Sequence, residues 1–374
     1  MSRPEWNLDF TEQVIFSLRS LYNRYGYTPY KMSKFEEYDL YARNKDFLIS
    51  ESIITFTDLN GKLMALKPDV TLSIVKNSSH RPTGLRKLYY NENVYRVSKG
   101  AHSFREIMQV GLEALGQVDS YCISEVLLLA AKSLKCISKD AIVDVSHLGL
   151  LSEFLANIGI PQAETGRVLQ YMGEKNLHEL SDACRAFGIA PGDMVLLTRL
   201  TALSGPIGQV LPQVGQLFRG RVKEDTLDDF LRILSALADT DAGDVLHLDF
   251  SVVDNIHYYN GIVFKGFLHG LPTAVLSGGQ YDRLLAKMGR KDRAIGFALY
   301  MDLVERLAPS PRHYDVDTVL LYDEGADLNR LQAQTAALSQ QGSVMALRHK
   351  PENLRYRRLL KLQGSEVAEL ENNP

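Results

Sequence analysis

The period of the apolar positions changes several times along this chain, and each change predicts an element. Phe10, Val14, Ile15, Leu18 and Leu21 recur at helical spacing, which predicts an amphipathic helix over 8–25. GYTPYKM (26–32) breaks that pattern and reads as extended. Residues 53–61 alternate and end on Asn60-Gly61 before KLMAL, so a hairpin closes near residue 66. Lys67-Pro68-Asp69 ends its second strand, and a helix starts near Thr71. KLYYNENVYRV (87–97) and FREIMQVGLEALG (104–116) read as strands on either side of a polar loop. In the second strand Ile107, Gln109, Gly111 and Glu113 share a face, so two polar side chains flank a glycine. Residues 121–135, rich in leucine and alanine, form the next predicted helix.

From about 150 to 240 the period is helical and carries no evident chemistry, as in a helical insertion. Strand patterns return at 245–252 and 256–267. LSGGQYDRLLAKMG (276–289) predicts a strand, a double-glycine turn and a helix, and 294–307 a short strand leading into a helix. Pro309 to Pro311 mark a linker, which divides the chain into 1–308 and 309–374. The tail predicts strand (318–323), helix, strand (343–349) and helix (351–364). That is an α/β unit shorter than the roughly 100 residues of a complete small domain, hence a truncated one.

Composition narrows the function. The 374 residues are 45% hydrophobic and 23% charged, ordinary for a globular protein with a sizeable core. No stretch of about 18 apolar residues predicts a membrane span, and the first residues lack a signal-peptide core, so the expectation is cytoplasmic with no membrane partner. Forty-two basic residues against 45 acidic ones give a net charge of −3, which is not the footprint of bulk nucleic-acid binding. Cys122, Cys136 and Cys184 have no metal-ligand spacing and are expected to be buried free thiols. Phosphate-loop, zinc-protease and serine-hydrolase motifs are absent. Polar residues recur on predicted strands at Arg96, Gln109, Glu113, Tyr258 and Tyr259. Buried, such groups need partners. A bound zwitterion would supply them, its carboxylate on arginine and its N–H groups on the acids, and so would an internal salt-bridge network.

The order of these segments resembles the histidyl-tRNA synthetase family of class II synthetase folds over about 8–308. GYTPYKMSKFEEYDLY resembles its motif 1, with Glu36 matching and Ser33 replacing a proline. Leu66-Lys67-Pro68-Asp69-Val70-Thr71 resembles its Leu-Arg-Pro-Glu-x-Thr stretch, with an aspartate more typical of a regulatory paralogue. KLYYNENVYRVSKGAHSFREIMQVGLEALG resembles motif 2, placing Arg96 on the motif arginine and Gln109 and Glu113 on histidine-contacting positions. IHYYNGIVFKG resembles the histidine-binding peptide through Tyr259, LSGGQYDRLL matches at Tyr281 with Gln280 departing, and AIGFALYMDLVERL resembles motif 3.

The resemblance implies an α+β fold: a class II synthetase-like antiparallel sheet flanked by helices, with a helical insertion and the truncated C-terminal α/β unit. It also implies a histidine-binding site of Asp69, Thr71, Arg96, Gln109, Glu113, Tyr258, Tyr259 and Tyr281. Asp69 and Thr71 would take the ammonium group, and Glu113 and the tyrosines the imidazole. The departures lie in the catalytic cations, which developing phosphate charge requires. Aligned on the family, Leu303 replaces the motif 3 arginine, Tyr300 a glycine and Asp302 a glutamate. Asp254 replaces a second arginine, and Ser98 sits on the adenine-holding glutamate. The match is thus nearest the branch of ATP phosphoribosyltransferase regulatory subunits. What that implies is a chain without catalytic residues, metal or cofactor. It would sense free histidine as an allosteric ligand, and its homodimers would assemble with the short-form catalytic subunit as a hetero-octamer, with tRNA no longer a partner. Two alternatives stand beside it: a divergent histidine–tRNA ligase, and a paralogue that binds another amino acid or partner.

Overall fold

The computed structural model describes residues 8–45, 48, 53–78, 84–97, 103–253, 256, 258–309, 314–364 and 366–373. The chain divides into two compact units, Met1–Leu307 and Ala308–Pro374. The first unit opens with α1 (Phe10–Arg24), β1 (Thr28–Pro29), β2 (Phe35–Glu37) and α2 (Tyr38–Ala42). Asp9 and Glu12 start α1 as a reciprocal capping box: each side chain accepts from the other's backbone N–H, at 2.7 and 3.0 Å. The Asn60-Gly61 hairpin forms between β3 (Thr55–Thr57) and β4 (Leu63–Leu66), and β2 pairs with the outer side of β4. The chain then passes through Lys67-Pro68-Asp69 into α3 (Thr71–Asn77).

The central sheet follows: β5 (Leu85–Val97), β6 (Phe104–Gly116), α4 (Ser120–Lys135) and β7 (Ala141–His147). The insertion comprises α5 (Leu148–Asn157), α6 (Thr165–Gly173), α7 (Leu177–Ala186), α8 (Pro191–Ala202), β8 (Ser204–Pro206), α9 (Ile207–Phe218) and α10 (Glu224–Ala238). The chain returns through β9 (Leu246–Asp249), β10 (Ile262–Leu268), β11 (Leu276–Gln280), α11 (Asp282–Lys287), β12 (Arg293–Tyr300) and α12 (Met301–Val304). Among the described residues nine strands join in the order β1-β5-β6-β12-β11-β10-β7-β9-β8. Only β1–β5 and β7–β9 run parallel, so the fold is α+β around a mainly antiparallel sheet.

Alternation assigns the two faces of that sheet. Tyr89, Leu112, Phe297, Phe264 and Val145 lie in one cross-strand row, all buried, on the face that α1 and α4 cover. The ring of Tyr22 from α1 stands 6.2 Å from that of Phe297. The opposite face carries Gln109, Gly111 and Glu113, one strand residue out of phase with the helix-covered row.

Four sequence expectations are corrected. The 351–364 helix is instead a strand, β15. In the second unit β13 (Val316–Leu321), α13 (Leu328–Ser339), β14 (Val344–Leu347), β15 (Tyr356–Gln363) and β16 (Glu366–Asn372) form a sheet in the order β14-β13-β15-β16. β15 is central and buries both faces: Leu359 packs with Val316, Val319 and Tyr356, whereas Leu360 and Leu362 pack with Leu320 and Leu331. Such a two-sided apolar run has no strand signature to distinguish it from a helix. Gly278-Gly279 is not a turn but lies inside β11. Tyr258 and Tyr259 precede β10 rather than belonging to it. Cys122 and Cys184 are buried, but Cys136, at the end of α4, is exposed. The sequence reading also passed over β7 and the short β8, which knits the insertion to the sheet through β9.

A Cβ at Gly278 would lie 2.5 Å from the Gly296 carbonyl oxygen, 2.5 Å from Phe297 Cβ and 2.6 Å from Phe264 Cζ. Two of these are backbone or near-backbone atoms that cannot yield. Gly278→Ala is therefore expected to destabilise the fold by about 1–3 kcal/mol. Urea denaturation checks it: an unchanged midpoint would show that the sheet relaxes at this point.

Candidate functional site

All eight side chains singled out in the sequence line one pocket on the face of the sheet away from α1 and α4. The space between these side chains, counted out into open solvent, is about 460 Å³. Asp69 and Thr71 enter from the turn into α3, Arg96 from the far end of β5, and Gln109 and Glu113 from β6. Tyr281 follows β11, and Tyr258 and Tyr259 come from the segment ahead of β10. The pocket also takes Tyr90, Ser277 and Tyr300. Sequence reasoning did not assign these three. Their signal lies in the strand register: Tyr90 pairs with Gly111, Gly111 with Ala298, and Ala298 with Ser277. Tyr300 pairs with Gln109.

Glycines make the floor. A Cβ at Gly296 would lie 1.7 Å from Glu113 Oε2, and one at Gly111 2.4 Å from the Tyr90 hydroxyl. No side chain fits at either place while Glu113 and Tyr90 keep their positions. At the rim the Gln280 side chain accepts from the Ile262 backbone N–H at 2.8 Å, and a Cβ at Gly261 would strike it at 2.2 Å. Gln280, the departure in the Gly-Gly-x-Tyr-Asp stretch, thus anchors the start of β10 rather than facing the pocket. The Tyr258 and Tyr259 rings meet edge to face at 4.7 Å, and Tyr258 lies 5.7 Å from Tyr281, forming an aromatic wall.

Glu113 is the centre of the polar network. Thr71 donates to Oε1 at 2.8 Å and Tyr281 to Oε2 at 2.6 Å. Burial nevertheless dominates and pushes its carboxyl up from 4.5 to about 8; the two hydrogen bonds oppose that rise, and nearby Asp69 adds to it. Asp69 is also raised by burial, although its Oδ1 accepts from the Leu72 N–H at 2.8 Å and Arg96 acts against the rise. Arg96 donates from Nε to the Pro68 carbonyl at 3.2 Å and lies beside the Tyr300 hydroxyl. Among the described lining residues Asp69, Glu113 and Arg96 are the only acids and bases. The pocket therefore holds one fixed cation and two carboxyls that burial makes reluctant to ionise alone.

Of the family's catalytic positions, Leu303 lies on α12, partly buried against the core. Asp302 pairs with Arg105 at 3.4 Å, and Arg306 is exposed in the short helical turn that follows. Asp254 and Ser98 lie outside the described residues.

Because the folded protein holds the Glu113 proton more tightly than the unfolded chain, stability falls as pH rises from about 4.5 through about 8. Glu113→Gln stays neutral throughout, so the variant is expected to lose less stability than the parent between pH 5 and pH 8. Urea denaturation at both values checks this; equal losses in the two proteins would mean that Glu113 is already ionised at pH 5.

The comparisons agree with this geometry. The family model described as histidyl-tRNA synthetase matches residues 7–304. A protein named ATP phosphoribosyltransferase regulatory subunit from Caldanaerobacter subterraneus is 29% identical over 301 residues, 79% of this chain and 78% of that one. A solved structure from Bacillus halodurans C, described as an ATP phosphoribosyltransferase regulatory subunit/histidyl-tRNA synthetase, superposes with a TM-score of 0.75 at 22% identity, over 90% of this chain and 88% of that one. A chain of the ATP phosphoribosyl transferase (HisG:HisZ) complex from Thermotoga maritima has a TM-score of 0.62 at 19% identity, over 78% and 97%. With the family model matching residues 7–304, most of its length, and a class II synthetase-like sheet behind the pocket, the chain belongs to the histidyl-tRNA synthetase family.

Proposed function

We propose that this chain is a non-catalytic regulatory subunit of an ATP phosphoribosyltransferase, and that its pocket binds free histidine as an allosteric ligand. The observation that carries the reading is the charge set: one arginine and two carboxyls among the described lining residues. Their complement is a small molecule with one carboxylate and two N–H-bearing groups, and among the amino acids of that description the family points to histidine. Its carboxylate would pair with Arg96, its ammonium with Asp69 and the Thr71 oxygen, and its ring N–H with Glu113 inside the tyrosine wall. A cationic group beside Glu113 favours the ionised carboxylate that burial opposes.

The same charge set argues against synthetase chemistry. Among the described lining residues Arg96 is one cation, where transfer of an adenylyl group from ATP to a carboxylate, with pyrophosphate leaving, needs several, and a leucine at 303 supplies none. The alternative of a histidine–tRNA ligase lacks that support. The names of the Caldanaerobacter relative and of the Thermotoga complex supply the partner in this proposal, a catalytic ATP phosphoribosyltransferase subunit; that it is of the short form is what the sequence resemblance implies. To regulate it, histidine must bind the active and inhibited assemblies with different affinity.

Two outcomes are expected. Calorimetry is expected to detect histidine binding that Glu113→Ala weakens by about 30-fold, corresponding to loss of a charge-assisted hydrogen bond of about 2 kcal/mol; identical binding in parent and variant would remove Glu113 from the site. Mixed with a short-form catalytic subunit, the chain is expected to raise its ATP phosphoribosyltransferase activity and make it histidine-sensitive. Alone it should give only background pyrophosphate exchange with histidine and ATP. Exchange at an ordinary synthetase rate would overturn the regulatory reading.

A further inference from the structure

Behind the pocket lies a charged group that the pocket chemistry does not use. Lys67 is 0% exposed, yet it carries an ammonium group. Its Nζ donates to Glu92 Oε2, and the Glu92 side chain is itself only 15% exposed. A buried ion pair is a poor source of stability, because desolvating two charges offsets their attraction and apolar isosteres commonly do as well. Its placement suggests another role. The Lys67 backbone N–H donates to the Lys34 carbonyl at 3.1 Å, and its carbonyl accepts from the Tyr95 N–H at 2.9 Å. Arg96 donates to the carbonyl of the next residue, Pro68, at 3.2 Å. Two residues after Lys67, Asp69 turns into the pocket and caps α3 through the Leu72 N–H. Four residues after Glu92, Arg96 enters the same pocket from β5.

We infer that Lys67 is a positioning residue: locked to Glu92, it fixes the segment carrying Asp69 against the strand carrying Arg96, and so sets the spacing between the pocket's ammonium acceptor and its carboxylate donor. Lys67 itself touches no ligand. It pins the turn that carries Asp69, which lies between β4 and α3 with no ladder of its own, against β5, which its ladder to β6 already holds in place. The inference deepens the amino-acid reading of the pocket and rests on it for the ligand, but the positioning itself is a property of the unliganded chain.

The test uses the full chain and the pair of substitutions Lys67→Met with Glu92→Leu, which removes both charges and leaves neither partner buried alone. Its denaturation midpoint is expected to stay close to that of the parent. Amide hydrogen exchange at Thr71 and Leu72 is expected to quicken by about tenfold or more with the rest of the core unchanged. Histidine affinity should fall by about tenfold or more, as for other residues that hold a binding group in place, while binding of imidazole alone changes by less than about threefold. Lys67→Arg, which keeps the charge, should retain most of the parent's histidine affinity. Should the double variant fail to fold, Glu92→Gln is read in the same two ways. Unchanged exchange and unchanged affinity in a folded variant would overturn the inference, as would faster exchange spread over the whole core. If the parent takes up no histidine, the amino-acid reading fails. The exchange arm then decides the positioning role by itself: faster exchange confined to 69–72 upholds it, and unchanged exchange overturns it.

Discussion

The burial of the Glu113 carboxyl is the constraint on which the rest of the pocket depends. A carboxyl in the interior of a sheet must be given hydrogen bonds, and only particular neighbours can supply them. Thr71 reaches it from α3 and Tyr281 from the end of β11. Those contacts fix the turn at 67–71 and the end of β11 against β6. They also require that the strand beside Glu113 present no side chain, which is why Gly296 lies there. Placing one acid therefore dictates a threonine, a tyrosine and a glycine on three other elements.

The two faces of the sheet divide the work. The face covered by α1 and α4 is apolar and close-packed, and Gly278 is needed there because the Gly296 carbonyl, Phe264 and Phe297 leave no room. The other face gathers polar groups whose cost is met partly by one another and, in the proposed function, by a zwitterion. Two protonatable carboxyls and one arginine among the described lining residues suit a ligand that brings its own positive charge. The same electrostatic argument thus supports a histidine sensor and weakens the case for an amino-acid-activating enzyme.

The buried pair behind the pocket fits the same logic at one remove. Asp69 and Arg96 come from segments far apart in sequence, and each is useful only at a set distance from the other. A charged pair such as Lys67 with Glu92 is directional in a way that apolar packing is not. In the positioning role inferred for it, stability lost to desolvation is exchanged for a fixed spacing between Asp69 and Arg96.

Local pattern was enough to find most elements of this protein. The capping box of α1, the Asn60-Gly61 hairpin and the long β5–β6 pair follow from residues close together in sequence, and the one-face grouping of Gln109 with Glu113 follows from strand alternation. Polar residues on predicted strands supplied Arg96, Tyr258 and Tyr259 as well, motif matching added Asp69, Thr71 and Tyr281, and the fold brings them to one place. What the sequence by itself could not decide depends on neighbours. β15 is a strand because β13 and β16 flank it and both its faces are covered; its leucines alone fit a helix equally well. Gly278-Gly279 lies inside a strand because adjacent strands and rings exclude a Cβ, whereas the bare dipeptide reads as a turn. Tyr90, Ser277 and Tyr300 join the pocket through a cross-strand register that no single segment encodes. The raised carboxyl of Glu113 and the complete burial of Lys67 are likewise products of packing. Solvent exclusion, unlike alternation, is a property of the assembled chain.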